Sequence, residues 1–381
     1  MADPLKLFIV AGEASGDRIG GDLVKRLRAR QPVTVTGVGG PELTGLGLNS
    51  LFPMDDLAVM GFADVLRRAP LLLWRLRQTA RAIIAQRPDV VVLIDSQVFS
   101  HLLAQRVRRT CPQIKLVLYV APTVWAWKPE RAAELKPLFD ELLAVLPFEP
   151  RVVADLGGPP THYVGHPALD SVAWRDSPTE RGPLLLLPGS RKGELKRHLE
   201  MMRVGVERLH AHPAVDGFVL PTPASHAERV RAATADWAAP VTIVRGEARY
   251  NAFSGAVGAF ATSGTVTLEL ALAGVPMVIA YVADRQQSKR YNAIGRPPIG
   301  LPNIVAGQSV VPEMLFEAGS DTSEALSSLK KLMDDPATRQ RQLNDFRAIR
   351  ALMQNGAPEA PREDPADRVL AVAAQRSSMG T

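Results

Sequence analysis

Two segments in the second half of the chain share one pattern, and this pattern constrains the fold more than any other feature. An apolar run at 184–187 breaks into a turn of small and basic residues at 188–192. A second apolar run, at 257–261, breaks into the small residues 262–265 and continues into a helix-like stretch that contains Glu269. Each pattern predicts a buried strand, a tight turn and the N-terminus of a helix. We therefore expect an α/β fold in which strands end at helix N-termini.

Turns of this kind also indicate a ligand. They expose backbone N–H groups at the positive end of a helix dipole, where phosphate binds favourably. Two such turns can hold one diphosphate from two sides, and Glu269, one turn into the second helix, can reach a ribose hydroxyl. This is the geometry expected of a nucleotide-sugar site.

The remaining strands that the sequence predicts are also continuous apolar runs, and they alternate with helical patterns, as in a parallel sheet covered on both faces. The predicted strands are 5–10, 33–38, 90–94, 115–120 and 142–146, followed by 184–187, 217–220, 241–244, 257–261 and 276–281. A segment rich in Gly and Pro, 157–167, separates the two series. Because 381 residues are too many for one ordinary core, we predict two Rossmann-like domains of α/β class, 1–165 and 166–355, with strand-end loops that face a shared cleft. The tail 356–381 is left open between disorder and packing back.

Composition narrows the function classes. A net charge of +6 favours anionic partners such as phosphorylated substrates, lipid or nucleic acid, although it also serves solubility alone. A nucleic-acid-binding protein needs aromatic residues among its basic ones, and only 6% of this chain is aromatic, so we expect no nucleic acid partner. Cys111 is the only cysteine and the histidines show no ligand spacing, so we expect no disulfide, metal or cofactor. We also expect neither a signal peptide nor a spanning helix.

A loop of small and polar residues follows the first predicted strand. Gly12 and Gly16 fit a tight strand-to-helix turn, and the loop matches neither the dinucleotide-binding nor the Walker pattern. Ser15 or Asp17 can cap the next helix. One cap leaves polar groups in surplus, so we predict that Glu13 and Ser15 take part in a catalytic site for a ligand rich in hydroxyl groups.

Asp95 ends a strand of apolar residues, where a carboxylate is costly unless it is hydrogen-bonded or faces a cleft. Two interpretations are open. The residue is either the N-cap of the next helix or a general base at the floor of the cleft.

The segment 60–77 mixes bulky apolar residues with several arginines. One interpretation is an amphipathic core helix, but four consecutive bulky residues at 71–74 cannot all face one core. A basic segment rich in Leu and Trp also fits the interface of an anionic membrane. The side chains predicted to lie at this interface are Val65, Leu66, Leu72, Leu73 and Trp74.

Taken together, these residues resemble the lipid-A-disaccharide synthase family, whose members are inverting glycosyltransferases of the two-Rossmann-domain (GT-B) type. The resemblance extends to about residue 320. It rests on motifs at 12–17, 37–41, 58–61, 124–127, 146–149, 164–167, 187–191, 263–265 with Glu269, and 301–303.

The resemblance implies transfer of diacylglucosamine from UDP-diacylglucosamine to the 6-hydroxyl of diacylglucosamine 1-phosphate (lipid X), with release of UDP and without a metal. It implies peripheral attachment at the inner face of the inner membrane, with acceptor and membrane contacts in 1–165 and the UDP-sugar in 166–355. It makes Asp95 essential and pairs Arg191 with the diphosphate, although a surface ion pair with Glu194 is the alternative for this arginine. The residues assigned to the UDP-sugar are Gly189, Ser190, Arg191, Glu194, Ser263, Gly264, Thr265, Glu269 and Asn303. Another GT-B transferase and a nucleotide-sugar epimerase are the rival enzymes, and the epimerase has a soluble substrate.

One departure from the family concerns the segment after Asp95. The family continues with a small residue, Pro and an acidic residue, whereas this chain has Ser96, Gln97 and Val98. We expect an active enzyme whose general base has a less elevated pKa, because a neighbouring negative charge is missing. Acyl-chain length, oligomeric state (a homo-oligomer included) and the role of 284–300 are left open.

Overall fold

The computed structural model describes residues 3–58, 62–246 and 248–375, and for 62–66 it describes the backbone alone. The chain divides into two compact units. The first ends at Pro167 and resumes at Asn355, and the second spans Ala168–Gln354.

The first unit is built on a parallel sheet of six strands in the order β2-β1-β3-β4-β5-β6. Its strands are β1 (Leu5–Ala11), β2 (Val33–Val38), β3 (Val90–Ile94), β4 (Lys115–Tyr119), β5 (Glu141–Ala144) and β6 (Thr161–Tyr163). Its first six helices are α1 (Ala14–Arg28), α2 (Pro41–Gly45), α3 (Phe62–Gln86), α4 (Gln97–Thr110), α5 (Arg131–Leu135) and α6 (Glu149–Asp155).

The second unit is likewise built on six parallel strands, but their order differs from that of the first sheet and is β12-β11-β10-β7-β8-β9. Its strands are β7 (Gly182–Leu187), β8 (Val215–Thr222), β9 (Val241–Arg245), β10 (Gly258–Ala261), β11 (Met277–Ala283) and β12 (Glu313–Glu317). Its helices are α7 (Ala168–Ser171), α8 (Lys192–Leu209), α9 (Ala227–Ala233), α10 (Ala248–Gly255), α11 (Thr265–Ala273), α12 (Arg285–Ala293), α13 (Leu301–Ala306), α14 (Ser323–Asp334) and α15 (Pro336–Asn355).

The central strands are buried along their whole length, which explains their continuous apolar runs. Every residue of β3 and of β10 is buried, as expected when both faces of a parallel sheet are covered. The sequence did not predict β6 or β12. β6 is only three residues long and lies in the segment rich in Gly and Pro, and β12 is an edge strand whose residues are at most half-buried.

The end of the described chain packs on the first unit rather than on the second. A short hairpin, β13 (Gly356–Ala357) with β14 (Ala360–Pro361), leads into α16 (Pro365–Ala374), which contacts α1, β3 and β4. Arg368 in α16 donates to both carboxylate oxygens of the buried Glu141, at 2.9 and 2.6 Å. This bidentate ion pair fixes the helix against β5, where Glu141 begins the strand.

Candidate active site

The carboxyl edge of the first sheet brings together two loops that lie far apart in sequence. β1 and β3 are neighbouring strands, so the loop at 12–17 lies beside the loop that begins at Asp95. The approach is close, because a Cβ atom on Gly12 would collide with the hydroxyl of Ser96. Gly12 is therefore required by the packing between the two loops, a reason that the sequence analysis did not give.

Asp95 is held in an unusual backbone conformation. Its φ is 52° and that of Ser96 is 44°, both in the left-handed region that non-glycine residues rarely adopt. The amide of Asp95 donates to the carbonyl of Tyr119 at 3.0 Å, and the hydroxyl of Ser100 donates to the carbonyl of Asp95 at 2.8 Å. Such strain costs about 1–3 kcal/mol per residue and is found where surrounding structure enforces it, often at functional sites.

The structure separates the two interpretations of the Asp95 side chain. Ser96, not Asp95, is the N-cap residue of α4, and the Ser96 side chain makes no capping hydrogen bond. The N-cap interpretation of Asp95 is therefore wrong. Burial raises the pKa of the Asp95 carboxyl above its ordinary value of 3.8, although a hydrogen bond from the Ser96 amide opposes this effect. A carboxylate with a raised pKa is a stronger base near neutral pH, which is what a general base needs.

The polar residues of the loop at 12–17 differ in burial. Glu13 and Ser15 are exposed, and Glu13 is the N-cap residue of α1 but makes no capping hydrogen bond with its side chain. Asp17 is buried and accepts hydrogen bonds at 2.8 Å from the amides of Gly40 and Glu42, at the start of α2. The expectation that Ser15 or Asp17 caps its own helix is therefore wrong, because Asp17 caps α2 across the fold.

The same edge contains a second buried carboxylate, to which the sequence analysis assigned no role. Glu149 begins α6 and is buried. Its Oε1 accepts from the indole N–H of Trp125 at 3.3 Å, and its Oε2 accepts from the amides of Val145 and Leu146 at 3.1 and 3.0 Å. Burial nevertheless raises the pKa of Glu149 to about 7. The signals in the sequence were its place in the motif at 146–149 and directly after an apolar run.

At the carboxyl edge of the second sheet, the turn after β7 is closed by its own glutamate. Gly189 has a φ of 92°, which favours glycine. Glu194 accepts from the amides of Ser190 and Arg191, each at 3.2 Å, and from Arg191 Nη1 at 2.7 Å. The Arg191 side chain is 79% exposed. The ion pair that was the alternative role of Arg191 is therefore present, and the amides predicted to bind phosphate are occupied by a carboxylate.

The turn after β10 differs from the turn after β7, because no carboxylate side chain among the described residues is seen to occupy the start of the helix that follows it. Thr262 donates to the carbonyl of Leu187 through its amide, at 2.9 Å, and its hydroxyl, at 3.1 Å, which ties the ends of β10 and β7 together. Gly264 is the N-cap residue of α11, where no side chain makes a capping hydrogen bond, and a Cβ atom on it would meet nothing within 4 Å. The start of α11 therefore has room for a ligand beside Thr265, with Ser263 fixed by a 2.6 Å hydrogen bond to the carbonyl of Ile299.

Asn303, which the sequence analysis assigned to the UDP-sugar, is buried and hydrogen-bonded within its own loop. Its amide oxygen accepts from the amides of Val310 and Val311 at 2.8 and 3.0 Å, and its nitrogen donates to the carbonyl of Val311 at 3.0 Å. The side chain is buried, so its observed contacts organise the loop between α13 and β12. Contact of Asn303 with a nucleotide stays a prediction.

Glu269 has a partner that sequence reasoning missed. Its carboxylate pairs with Arg249 near the start of α10, at 3.2 Å from Nε and 3.1 Å from Nη2. The signal was slight, since Arg249 and Tyr250 follow a predicted strand without any motif around them.

The basic apolar segment forms most of α3. Leu72 is half-buried and packs against the core of the first unit, whereas Leu73 and Trp74 are half-exposed. The side chains of Val65 and Leu66 lie outside the described residues. Among the helices that the structure describes, none combines the length and hydropathy needed to cross a membrane.

Comparison with known families gives a match along nearly the whole chain. The model of the family described as Lipid-A-disaccharide synthetase matches residues 7–363. A lipid-A-disaccharide synthase of Nitrobacter hamburgensis is 42% identical, over 96% of this chain and 95% of the relative. A protein of the same name from Pseudomonas paraeruginosa is 37% identical, over 94% of this chain and 97% of the relative.

Solved structures with the same fold include transferases and epimerases. A putative UDP-N-acetylglucosamine 2-epimerase of Listeria monocytogenes has a TM-score of 0.58 at 16% identity, covering 97% of this chain and 95% of its own. MurG of Acinetobacter baumannii has a TM-score of 0.55 at 17% identity, covering 98% of this chain and 100% of its own. These likenesses confirm the predicted fold class, two Rossmann-like units of GT-B type.

Proposed function

The chain belongs to the lipid-A-disaccharide synthetase family, and from this premise we propose how its two sheets divide the reaction. The chain is a glycosyltransferase that forms the lipid A disaccharide. The donor is UDP-2,3-diacylglucosamine, the acceptor is 2,3-diacylglucosamine 1-phosphate, and the products are the β-1,6-linked disaccharide 1-phosphate and UDP. The observation that carries this proposal is the family match over residues 7–363.

The first sheet supplies the base. Asp95 takes the proton of the acceptor 6-hydroxyl as the hydroxyl oxygen attacks the anomeric carbon of the donor, and the bond from that carbon to UDP breaks. Attack from the face opposite the leaving group inverts the configuration. The raised pKa and strained backbone of Asp95 support this role. We assign contact with the acceptor to Glu13 and Ser15, which are exposed on the adjacent loop.

The second sheet supplies charge and hydrogen bonds for UDP. The open N-terminus of α11 at Gly264 meets phosphate, with Ser263 and Thr265 beside it. Arg191 turns from Glu194 to the leaving diphosphate, a movement for which its 79% exposure leaves room. Glu269 accepts hydrogen bonds from the ribose.

The first unit attaches to the membrane surface. The half-exposed Leu73 and Trp74 of α3 enter the lipid interface, and the arginines of the same segment attract anionic lipid on the inner face of the inner membrane. Replacing Leu73 and Trp74 with Ser is expected to move protein from the membrane pellet to the supernatant. Leu76→Ser, at a buried position on the same helix, serves as the control that lowers thermal stability instead. A pellet fraction unchanged by the double substitution contradicts the attachment.

The reaction itself is tested with the purified full chain, both lipid substrates and detergent. We expect UDP to be released from UDP-2,3-diacylglucosamine only when the lipid acceptor is present. UDP release without the acceptor, or conversion of UDP-N-acetylglucosamine to an epimer, would contradict the proposed transfer and favour the epimerase.

A further inference from the structure

The ion pair between Arg249 and Glu269 is only partly shielded from water. The Glu269 side chain is 13% exposed and that of Arg249 is 27% exposed. The two parallel hydrogen bonds, at 3.2 and 3.1 Å, are the bidentate arrangement that fixes a carboxylate in orientation as well as in charge.

Arg249 is itself held by aromatic residues of α10. Its Nη2 donates to the hydroxyl of Tyr250 at 2.6 Å, and its guanidinium carbon lies 4.4 Å from the centre of the Tyr250 ring. Tyr250 in turn packs edge-on against the buried Phe253, with ring centres 5.7 Å apart. The guanidinium is therefore fixed through Tyr250 to the core of the second unit.

We propose that Arg249 is a positioning residue for the nucleotide ribose, acting through Glu269. An ionised carboxylate offers about four acceptor sites. Arg249 occupies one on each oxygen of Glu269, and the hydroxyl of Tyr250 donates to Oε1 at 3.5 Å. The remaining site on Oε2 is thereby held in a fixed direction and accepts from a 2′- or 3′-hydroxyl of the ribose. This inference rests on the proposed function, in which Glu269 contacts the ribose of UDP.

The pair differs from exposed arginine–glutamate pairs in the same unit. Arg231 pairs with Glu228 three residues away on α9, but those side chains are 54% and 81% exposed. Exposed pairs of this kind contribute little, because water screens the charges and both side chains move freely. Arg231→Ala therefore removes an arginine from an ion pair of this unit without affecting a fixed carboxylate, and it is the matched control.

The test measures binding of UDP and of 2′,3′-dideoxy-UDP to the full chain by calorimetry. We expect the wild-type protein to bind UDP more than about tenfold tighter than the dideoxy compound, because only UDP can donate ribose hydrogen bonds to the charged carboxylate. Arg249→Ala is expected to remove most of this preference, because the affinity for UDP falls while that for dideoxy-UDP changes less than about twofold. Arg249→Lys keeps the charge but not the two parallel hydrogen bonds, so it is expected to keep only part of the preference.

The outcomes separate this inference from the proposed function. If both Arg249 variants keep the full preference for UDP over dideoxy-UDP, the proposed role of Arg249 is wrong. If Arg231→Ala also loses this preference, the preference does not depend on the pair of Arg249 and Glu269, and the proposal is likewise wrong. A wild-type protein that binds both compounds equally overturns the contact between Glu269 and ribose, and with it the nucleotide assignment. If Arg249 has only a structural role, its replacement lowers the affinity for UDP and for dideoxy-UDP alike. Arg249→Lys provides the decisive measurement if Arg249→Ala lowers the melting temperature.

Discussion

Both sheets consist of six parallel strands, although in different orders, and their carboxyl edges hold carboxylates in opposite ways. In the first sheet, Asp95 and Glu149 have raised pKa values because burial disfavours their charged forms. In the second, Glu194 and Glu269 are paired with Arg191 and Arg249. A group that must take a proton gains from desolvation, whereas a group that must stay ionised and oriented gains from a cation. This difference agrees with the proposed division of the reaction, in which the first sheet supplies the base and the second binds the nucleotide.

The backbones of the two edges also differ, in the type of residue that adopts a positive φ. The first edge places Asp95, Ser96 and the β-branched Val120 at positive φ, where each residue costs about 1–3 kcal/mol. The turn after β7 in the second edge uses Gly189 for its positive φ, at almost no cost. Strain is thus concentrated beside the proposed base, where the position of one carboxylate matters most.

The largest expected effect comes from removing the proposed base. Asp95→Asn keeps the shape of the side chain but cannot take a proton, so transfer is expected to fall about 100- to 10,000-fold. UDP affinity is expected to stay unchanged, because UDP binding is assigned to the other sheet. The measurements are the initial rate of disaccharide formation and calorimetry with UDP. A variant that keeps more than about a tenth of the activity would remove the first sheet from the chemistry, since loss of a base normally costs far more.

A second prediction tests whether burial raises the pKa of Glu149, as it does that of Asp95, at the carboxyl edge of the first sheet. Its pKa is raised from 4.5 to about 7 in the folded chain, so the folded state binds this proton more tightly than the unfolded state. Stability is therefore expected to fall as pH rises from 4.5 to about 7, by on the order of 3 kcal/mol.

The measurement for Glu149 is the free energy of unfolding from urea titrations across that pH range. Glu149→Gln has no titrating proton and is expected to lose this part of the pH dependence. Equal slopes in the two proteins would show that folding does not shift the pKa of Glu149, and would contradict the effect assigned to its burial.

Arg191 tests the second edge. Arg191→Ala is expected to weaken UDP binding by about 1.5–3 kcal/mol, the range for a hydrogen bond to a charged group. Calorimetry measures this, and the exposed Arg231→Ala on α9 is again the control. An unchanged affinity for UDP would leave Arg191 with its observed partner alone, Glu194.

Ten of the twelve strands that the structure describes in the two sheets were predictable from sequence, whereas the partners of the functional side chains were not. A central strand such as β3 is buried on both faces, so its apolar run marks the strand and its end marks Asp95. Asp17 caps a helix that begins more than twenty residues later, and Glu149 meets Trp125 from the loop after another strand. Arg249 likewise reaches Glu269 only through the fold. Such pairs depend on which strands are neighbours, and local propensity does not determine that.

The smallest expected effect concerns Val98, where the resemblance to the family predicted an acidic residue and this chain has none. Val98 is 68% exposed on α4, whereas the pKa of Asp95 is raised by its own burial. A glutamate at 98 would therefore face water, and an exposed pair of charges interacts by less than about 1 kcal/mol, or about 0.7 of a pKa unit. Val98→Glu is expected to move the acidic limb of the profile of kcat/KM against pH upward by less than this amount, because a nearby negative charge disfavours ionisation of Asp95. Val98→Gln, of the same size but neutral, is expected to leave the limb in place. A shift of more than about one pH unit would mean that a charge at position 98 is shielded from water together with Asp95, and the first edge would then be tuned by a pair of carboxylates rather than by burial alone.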